Sequence, residues 1–321
     1  MQEFLSYHFP NESTCSFVGY WKQLIDGSVP NGFVISDAHA SEILVFETNM
    51  EAPISELNFQ DLDNINSAVK KEEYMLSCSA LIAEMRQNNV DKVVFSRQKI
   101  TTWNPTFFVL LLEQLIETYP KNLNYALYSK RFGFWMGSTP EILIQSNEQG
   151  FESMALAGTL SADSVGQFWT DKERDEQQYV SDYLQQIIEE NGRLIHKTDS
   201  YEHIVGPVKH LRTDFVFDLP SDKTWSFVKE LHPTPAVCGV PKQEARMLYE
   251  KHEAHARTLY TGIIGRFDQD GQRLFVNLRC MQVFQNQACL FVGGGITQES
   301  FPENEWEETE RKSEALGRFL I

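Results

Sequence analysis

Alternating apolar and polar positions predict strands along much of the chain. Residues 90–101 alternate in this way and are rich in β-branched side chains, and residues 33–47 have a similar pattern. Residues 125–139 predict a hairpin that turns near 131–133. Residues 142–158 predict two strands around a turn at 147–150, where asparagine and glycine favour tight turns.

The stretch 261–296 predicts three more strands, with turns at 268–271 and 285–287. Apolar residues at helical spacing predict helices in five segments: residues 64–89, 105–119, 171–191, 241–255 and 302–319. In the first helix, the predicted apolar face consists of Leu76, Leu81, Ile82 and Met85. Strands and helices do not alternate regularly, so the pattern favours an α+β fold with an antiparallel sheet over a doubly wound parallel fold.

Composition and charge narrow the range of possible functions. The chain has 321 residues with a net charge of −17, which argues against general binding to nucleic acids or anionic membranes. An anionic small-molecule substrate stays possible if a few Lys or Arg side chains, or a bound metal, provide positive charge at its binding site. No apolar run reaches the ~18–20 residues that a membrane span needs, and the N-terminus lacks a signal-peptide pattern. Five cysteines without CxxC spacing predict neither a disulfide framework nor a zinc site, which favours a reduced, cytoplasmic protein.

Two familiar motifs fail when their spacing is tested. Three glycines at 293–295 follow a predicted strand, but Gln298 occupies the position of the last glycine in GxGxxG, and no Walker lysine follows. His252 and His255 could share a helical face, but two ligands alone do not make a zinc site. A nucleotide-binding loop and a zinc centre are therefore both disfavoured.

Two predicted helices carry carboxylates at helical spacing. Glu173 and Glu176 are i,i+3 neighbours, as are Glu305 and Glu308, and Lys312 lies four residues beyond Glu308. A solvated acidic face is the ordinary explanation for either helix alone. If the two helices face each other, however, their carboxylates could hold Mg²⁺, which prefers oxygen ligands and often uses only one or two carboxylates plus substrate.

Several segments together resemble the chorismate-utilising enzymes, which comprise anthranilate, aminodeoxychorismate, isochorismate and salicylate synthases. These segments are DKVVFSR (91–97), STPEILI (138–144), ALAGT (155–159), KERDE (172–176), HPTPAVCGVP (232–241), EAHARTLYTGIIGRFD (253–268), NLRC (277–280) and LFVGGGITQESFPENEWEETERK (290–312). No family motif is found in residues 1–90, which we interpret as a shortened N-terminal part of the same unit. Residues 91–321 would form the chorismate-binding catalytic core, in effectively a single domain.

The resemblance, closest to isochorismate synthase, implies both fold and reaction. The fold would be α+β, with large antiparallel sheets packed together and helices outside. The reaction would be the Mg²⁺-dependent isomerisation of chorismate, with water attacking C2 as the C4 hydroxyl leaves, in menaquinone or siderophore biosynthesis. Salicylate synthase, which also eliminates pyruvate, is the alternative within the family. A non-catalytic chorismate-binding homologue is the alternative of a different class.

Site residues follow from the resemblance position by position. Glu176 and Glu308 match the metal ligands, with Glu173 and Glu305 as outer partners. The substrate-binding residues implied are Ala157, Gly158, Thr159, His232, Tyr260, Arg279, Gly293, Gly294, Gly295 and Lys312. Arg279 and Tyr260 would bind the enolpyruvyl carboxylate, and Lys312 would lie near the ring carboxylate.

Three positions imply water as the nucleophile. Lys92 matches the general base of isochorismate and salicylate synthases, and Glu141 matches the general acid. Ala157 stands where aminodeoxychorismate synthases typically have a nucleophilic lysine. Without the resemblance, Lys92 would be an ordinary strand lysine and Glu141 an ordinary turn carboxylate.

The chain departs from the family pattern in two places. Gln177 replaces the histidine that often follows the ligand Glu176, and the 159–172 link is short and lacks the usual basic residues. Beyond chorismate, we expect no nucleic-acid or membrane partner and no obligatory glutaminase partner, and we expect a monomer.

Overall fold

The structure, a computed structural model, describes residues 2–51, 68–162, 168–206, 208–269 and 271–320. Its strands are β1 (Phe4–His8), β2 (Cys15–Gln23), β3 (Gly32–Ser36), β4 (Ile43–Glu51), β5 (Lys92–Thr102), β6 (Leu123–Ser129), β7 (Gly133–Thr139), β8 (Ile142–Asn147), β9 (Gly150–Ser161), β10 (Arg193–Lys197), β11 (Tyr201–Val205), β12 (Val208–Asp218), β13 (Gly239–Val240), β14 (Ile263–Asp268), β15 (Gly271–Val276), β16 (Cys280–Val283) and β17 (Gln287–Thr297). Its α-helices are α1 (Lys71–Asn88), α2 (Phe108–Thr118), α3 (Asp171–Asn191), α4 (Thr224–Leu231), α5 (Lys242–His252) and α6 (Pro302–Gly317).

The strands form an antiparallel network. β5 pairs with β17 along its whole length, from Gln287↔Thr102 to Thr297↔Lys92, and its first residues also pair with β13. β1 pairs with β6 and β3 pairs with β14, so the hydrogen bonding runs across the predicted division at residue 90. The predicted α+β class with antiparallel strands is therefore confirmed, whereas the single-domain organisation stays a prediction.

Helices α3 and α6 lie on the sheet close to the glycines of β17. α3 packs on β9 and β12 through an apolar face that includes Val180, Leu184 and Ile188. α6 packs on β17 and also contacts α1 and β5. The two helices that carry the predicted metal-binding carboxylates thus approach the same strand.

Three sequence-based details are wrong. Residues 261–296 contain parts of four strands rather than three. The predicted middle strand is interrupted between β15 and β16, where Arg279 has a φ of 46°. Helix α5 ends at His252, so His255 lies beyond it and the two histidines do not share a helix. Leu76, predicted on the buried face of α1, is 72% exposed.

Other predictions differ from the structure in extent. The first predicted helix begins at Lys71, and its predicted positions 64–67 fall outside the described residues. Strands β1, β2 and β10 to β12, together with α4, were not predicted from the pattern. Among the described residues, no helix combines the length and apolarity needed to cross a bilayer.

Candidate active site

The glycines of β17 leave room for carboxylates from both helices. A Cβ on Gly294 would lie 3.2 Å from Oε1 of Glu308, and one on Gly295 would overlap with Oε1 of Glu176. A side chain at Gly295 would therefore displace Glu176. Glycine is required here by close approach of these acids to the backbone.

One edge of the glycine segment is open to the site. β16 pairs with β17 only as far as Cys280↔Phe291, whereas β5 covers the other edge throughout. A Cβ on Gly293 would lie 2.8 Å from the hydroxyl oxygen of Tyr260, and the Gly293 carbonyl accepts a 2.9 Å hydrogen bond from Nζ of Lys312. The bare backbone can thus contact a ligand directly, as expected for an anion site.

The structure brings most of the predicted residues around one cavity. Those lining it are Glu141, Ala157, Thr159, Glu176, Tyr260, Arg279, Gly293, Gly294, Gly295 and Lys312. Phe291 also lines the cavity, and its ring lies 5.6 Å from that of Tyr260, centroid to centroid. The cavity therefore combines an apolar wall with cationic and carboxylic groups, which suits a small cyclic carboxylate.

Lys92 lies immediately behind this wall. It is the first residue of β5 and is fully buried, with its Nζ 3.1 Å from Oε1 of Glu176. The backbone N–H of Val94 donates to the Cys238 carbonyl at 2.7 Å, which ties this end of β5 to loop 232–238. The predicted base and a predicted metal ligand are thus in contact.

Glu141 lies in the short link between β7 and β8. Its carbonyl accepts a 3.0 Å hydrogen bond from the backbone N–H of Val276, and its side chain is buried. Burial raises the pKa of Glu141 to about 7, although Lys92, Arg279 and Lys312 act to lower it. In a substantial fraction of the molecules, Glu141 is therefore protonated near neutral pH, as a general acid requires.

Two carboxylates of α6 are paired with lysines. Glu308 lies 2.6 Å from Nζ of Lys312, and Glu305 lies 2.6 Å from Nζ of Lys172 on α3. Burial raises the pKa of Glu305 to about 7, with a further rise from Glu308 and an opposing effect of Lys172. Burial also acts to raise the pKa of Glu308, but Lys312 and Lys172 outweigh it and lower that pKa.

The donor set fits a hard divalent cation. The described residues include no cluster of three or more His, Cys, Asp or Glu side chains placed to hold a metal. Glu176 and Glu308 nevertheless reach the adjacent glycines Gly295 and Gly294 from different helices. Two carboxylates, with water and a substrate carboxylate completing the set, are a common arrangement for Mg²⁺.

Arg279 is held by a histidine that the sequence reasoning missed. Nη2 of Arg279 lies 3.3 Å from Nε2 of His210 on β12, and Nδ1 of His210 lies 2.9 Å from the Gly158 carbonyl. Because the carbonyl can only accept, Nδ1 carries the proton and Nε2 accepts from Arg279. Burial lowers the pKa of His210 well below its usual range, with a further contribution from Arg279. A lone histidine in an unpredicted strand offered no sequence pattern.

Besides Lys92, Glu305 and Glu308, three further predicted residues lie outside the cavity lining. Gly158 has a φ of 69°, and a Cβ there would lie 2.8 Å from the Glu173 carbonyl, so it permits close packing of α3. Glu173 accepts a 3.0 Å hydrogen bond from the N–H of Thr170 in the capping box of α3. His232 is buried with Nε2 3.2 Å from the Ala38 carbonyl, and burial lowers its pKa to about 3. Their predicted roles stay predictions.

Comparisons with known proteins converge on one family. A family model described as chorismate binding enzyme matches residues 35–321. Isochorismate synthase EntC from Escherichia coli (strain K12) is 31% identical over 266 residues, which cover 79% of this chain and 67% of EntC. The match therefore spans about two thirds of that relative's length.

Two solved structures share the fold. MenF, the menaquinone-specific isochorismate synthase from Escherichia coli, matches with a TM-score of 0.80 at 16% identity, covering 99% of this chain and 89% of MenF. Anthranilate synthase component I from Streptococcus pneumoniae TIGR4 matches with a TM-score of 0.69 at 16% identity, covering 98% of this chain and 90% of that chain. These matches extend over almost the whole chain and establish its architecture.

Proposed function

We propose that this chain, which belongs to the chorismate-binding enzyme family, converts chorismate into isochorismate. The observation that carries the proposal is a buried lysine next to the cavity wall together with a buried, partly protonated carboxyl group that lines the cavity. Lys92 is fully buried beside Glu176, and Glu141 has a pKa of about 7. A base and an acid are the two groups that exchange of one hydroxyl for another requires.

Chorismate is a dianion, and the cavity offers cations for it. Arg279 and Tyr260 would bind the enolpyruvyl carboxylate, and Lys312 would attract the ring carboxylate. All three side chains line the cavity, together with Gly293. Local positive charge of this kind allows an acidic protein to bind an anion.

The reaction is an allylic substitution in which atoms balance. As the water oxygen bonds to C2, the two ring double bonds shift from C1–C2 and C5–C6 to C1–C6 and C4–C5, and the bond from C4 to its hydroxyl oxygen breaks. Lys92, in its neutral form, accepts a proton from the attacking water. Glu141 donates a proton to the departing hydroxyl, which leaves as water. Lys92 then releases its proton to solvent, and Glu141 takes up a proton from solvent.

Mg²⁺ is the cofactor that the carboxylates would hold. Glu176 and Glu308 would be its ligands, and the bound ion would supply positive charge that anchors and partly neutralises the substrate. Lys92 and Glu141 would carry out the proton transfers. Because Ala157 provides no amine and water is the nucleophile, no ammonia supply and hence no glutaminase partner is required.

The buried carboxyl group of Glu141 predicts a characteristic pH dependence. Its pKa of about 7 exceeds the usual 4.5, so the folded state binds this proton more tightly than the unfolded state. The stability contribution is present below pH 4.5 and is lost as pH rises towards 7. We therefore expect the free energy of unfolding of wild type relative to Glu141→Gln to fall across this window, as measured by urea denaturation.

The same ionisation should reduce turnover. As pH rises through about 7, kcat/KM should decline because the acid form of Glu141 in the free enzyme is depleted. A wild-type to Glu141→Gln stability difference that is constant from pH 4.5 to 8 would contradict the raised pKa.

The product is expected to be isochorismate rather than salicylate. Salicylate formation needs a second step, in which the enolpyruvyl ether breaks while that group is held over the ring. In salicylate synthases, the position of Phe291 tends to be an arginine. Here Phe291 stacks between Tyr260 and Trp135, with ring centroids 5.6 Å and 5.0 Å away, and cannot pair with a carboxylate.

Incubation of the protein with chorismate and Mg²⁺, followed by chromatographic separation of products, tests this function. We expect a mixture of chorismate and isochorismate to be reached from either compound, since one allylic alcohol is exchanged for another. Stoichiometric salicylate and pyruvate would instead identify a salicylate synthase. Absence of any conversion, with chorismate bound, would indicate a non-catalytic homologue.

A further inference from the structure

A buried ion pair lies next to the cavity but takes no part in the proposed chemistry. Glu253 and Arg257 lie between α5 and β14, and their side chains are 2% and 4% exposed. Arg257 donates to Glu253 through Nε at 2.9 Å and through Nη2 at 2.6 Å. A buried ion pair of this kind is costly to break, because removal of either residue leaves the other charge buried and unpaired.

Arg257 also bonds to two different parts of the cavity wall. Its Nη2 donates to the Val94 carbonyl on β5 at 2.6 Å, and its Nη1 donates to the Val237 carbonyl in loop 232–238 at 2.7 Å. Val94 and Val237 both line the cavity. One guanidinium group therefore joins two walls that are far apart in the sequence.

Glu253 fixes the same strand at a second point. Its Oε1 accepts hydrogen bonds from the N–H of Ser96 at 2.8 Å and from the Ser96 hydroxyl at 2.7 Å. Ser96 stands opposite Gly293 in the register of β5 and β17. The ion pair thus holds β5 at Val94 and at Ser96, two and four residues beyond Lys92.

We propose that Arg257 and Glu253 are positioning residues that fix the start of β5 against loop 232–238 and so set the position of Lys92. This inference rests on the proposed function, because it assigns the device that aims the predicted base. In the described part of the chain, neither charged side chain lines the cavity, so the pair acts through Val94 rather than on the substrate. Its effect should therefore appear in turnover more than in substrate binding.

Arg257→Lys separates positioning from charge. Lysine keeps the positive charge beside Glu253, but a single ammonium cannot reproduce the fixed fork that reaches two carbonyls and a carboxylate. A displacement of about 1 Å at a catalytic group can lower the rate about 10²-fold. We expect kcat to fall at least about tenfold, with KM for chorismate within about threefold of wild type.

Two variants serve as matched controls. Arg131→Lys alters another bidentate arginine, which pairs with Glu42 at 2.7 and 2.8 Å on the surface, and it should leave kcat unchanged. Leu115→Ala opens a cavity in the core beside α2 and should lower Tm without lowering kcat at temperatures well below the transition. The second control shows what general destabilisation alone does.

Hydrogen exchange provides a readout independent of activity. The Val94 amide, bonded to the Cys238 carbonyl at 2.7 Å, should exchange faster in Arg257→Lys than in wild type or Leu115→Ala. The inference is overturned if Arg257→Lys keeps kcat within twofold of wild type, if its loss lies in KM alone, or if Leu115→Ala loses as much turnover. If wild type forms no isochorismate, the proposed function itself is wrong and the positioning of a base falls with it.

Discussion

Replacing Lys92 with alanine is expected to lower kcat for isochorismate formation by about 10²- to 10⁴-fold, the usual contribution of a placed proton-transfer group. Chorismate should still bind, because Arg279, Tyr260 and Lys312 line the cavity independently of Lys92. Steady-state kinetics gives the loss of turnover, and calorimetric titration with chorismate gives the affinity. A loss of less than tenfold at neutral pH would mean that Lys92 is not the base.

The contact between Lys92 and Glu176 requires a second variant. Alanine leaves a cavity and removes the amino group that lies 3.1 Å from the Glu176 carboxylate, so part of any loss could reflect altered structure. Lys92→Met keeps most of the side-chain volume while removing the proton acceptor. If the base assignment is correct, alanine and methionine should lower kcat to a similar extent although their thermal stabilities differ.

Glu141→Ala should produce a comparable loss for the opposite proton transfer. Glu141 lies in the link between β7 and β8, whereas Lys92 lies on β5. The carboxyl group of Glu141 is protonated to a large extent near neutral pH. Glu141→Gln keeps the shape and a hydrogen-bond donor but provides no transferable proton. Turnover by Glu141→Gln within tenfold of wild type would show that the leaving hydroxyl does not depend on this acid.

The sequence was sufficient to predict much of the fold and the family to which the chain belongs. Helical spacing placed Glu173 with Glu176 and Glu305 with Glu308, and α3 and α6 do present Glu176 and Glu308 to adjacent glycines. The resemblance to chorismate-utilising enzymes is confirmed by the family match over residues 35–321. Long amphipathic helices and an ordered set of motifs specify such features locally.

Features that arise from tertiary contact were not predictable in this way. The segment from Val276 to Cys280 alternates like a continuous strand, yet the left-handed conformation of Arg279 interrupts it and is supported by His210 on another strand. Likewise, periodicity placed Lys92 on a strand and Glu176 on a helix without indicating their 3.1 Å contact. Such contacts depend on how elements pack, which a single sequence pattern does not encode.

Removing either predicted metal ligand is expected to eliminate most turnover while leaving the fold intact. Glu308 reaches Gly294, and Glu176 reaches Gly295, so each acid faces the strand that forms the open edge of the site. Glu308→Ala or Glu176→Ala should weaken Mg²⁺ binding, measured by calorimetric titration of the metal, because a two-carboxylate site loses half of its protein ligands. Activity should fall in parallel, since the substrate dianion is then poorly neutralised.

Glu307→Ala is the matched control for Glu308→Ala. It makes the same substitution on the same helix, one residue away, but Glu307 is half exposed and pairs with Lys71 at 2.9 Å on the surface. Exposed ion pairs of this kind contribute little to stability. Glu307→Ala should therefore keep wild-type Mg²⁺ affinity and kcat. Wild-type turnover that persists in excess chelator, or a Glu308→Ala variant with unchanged Mg²⁺ affinity, would refute the assignment of these carboxylates to a metal.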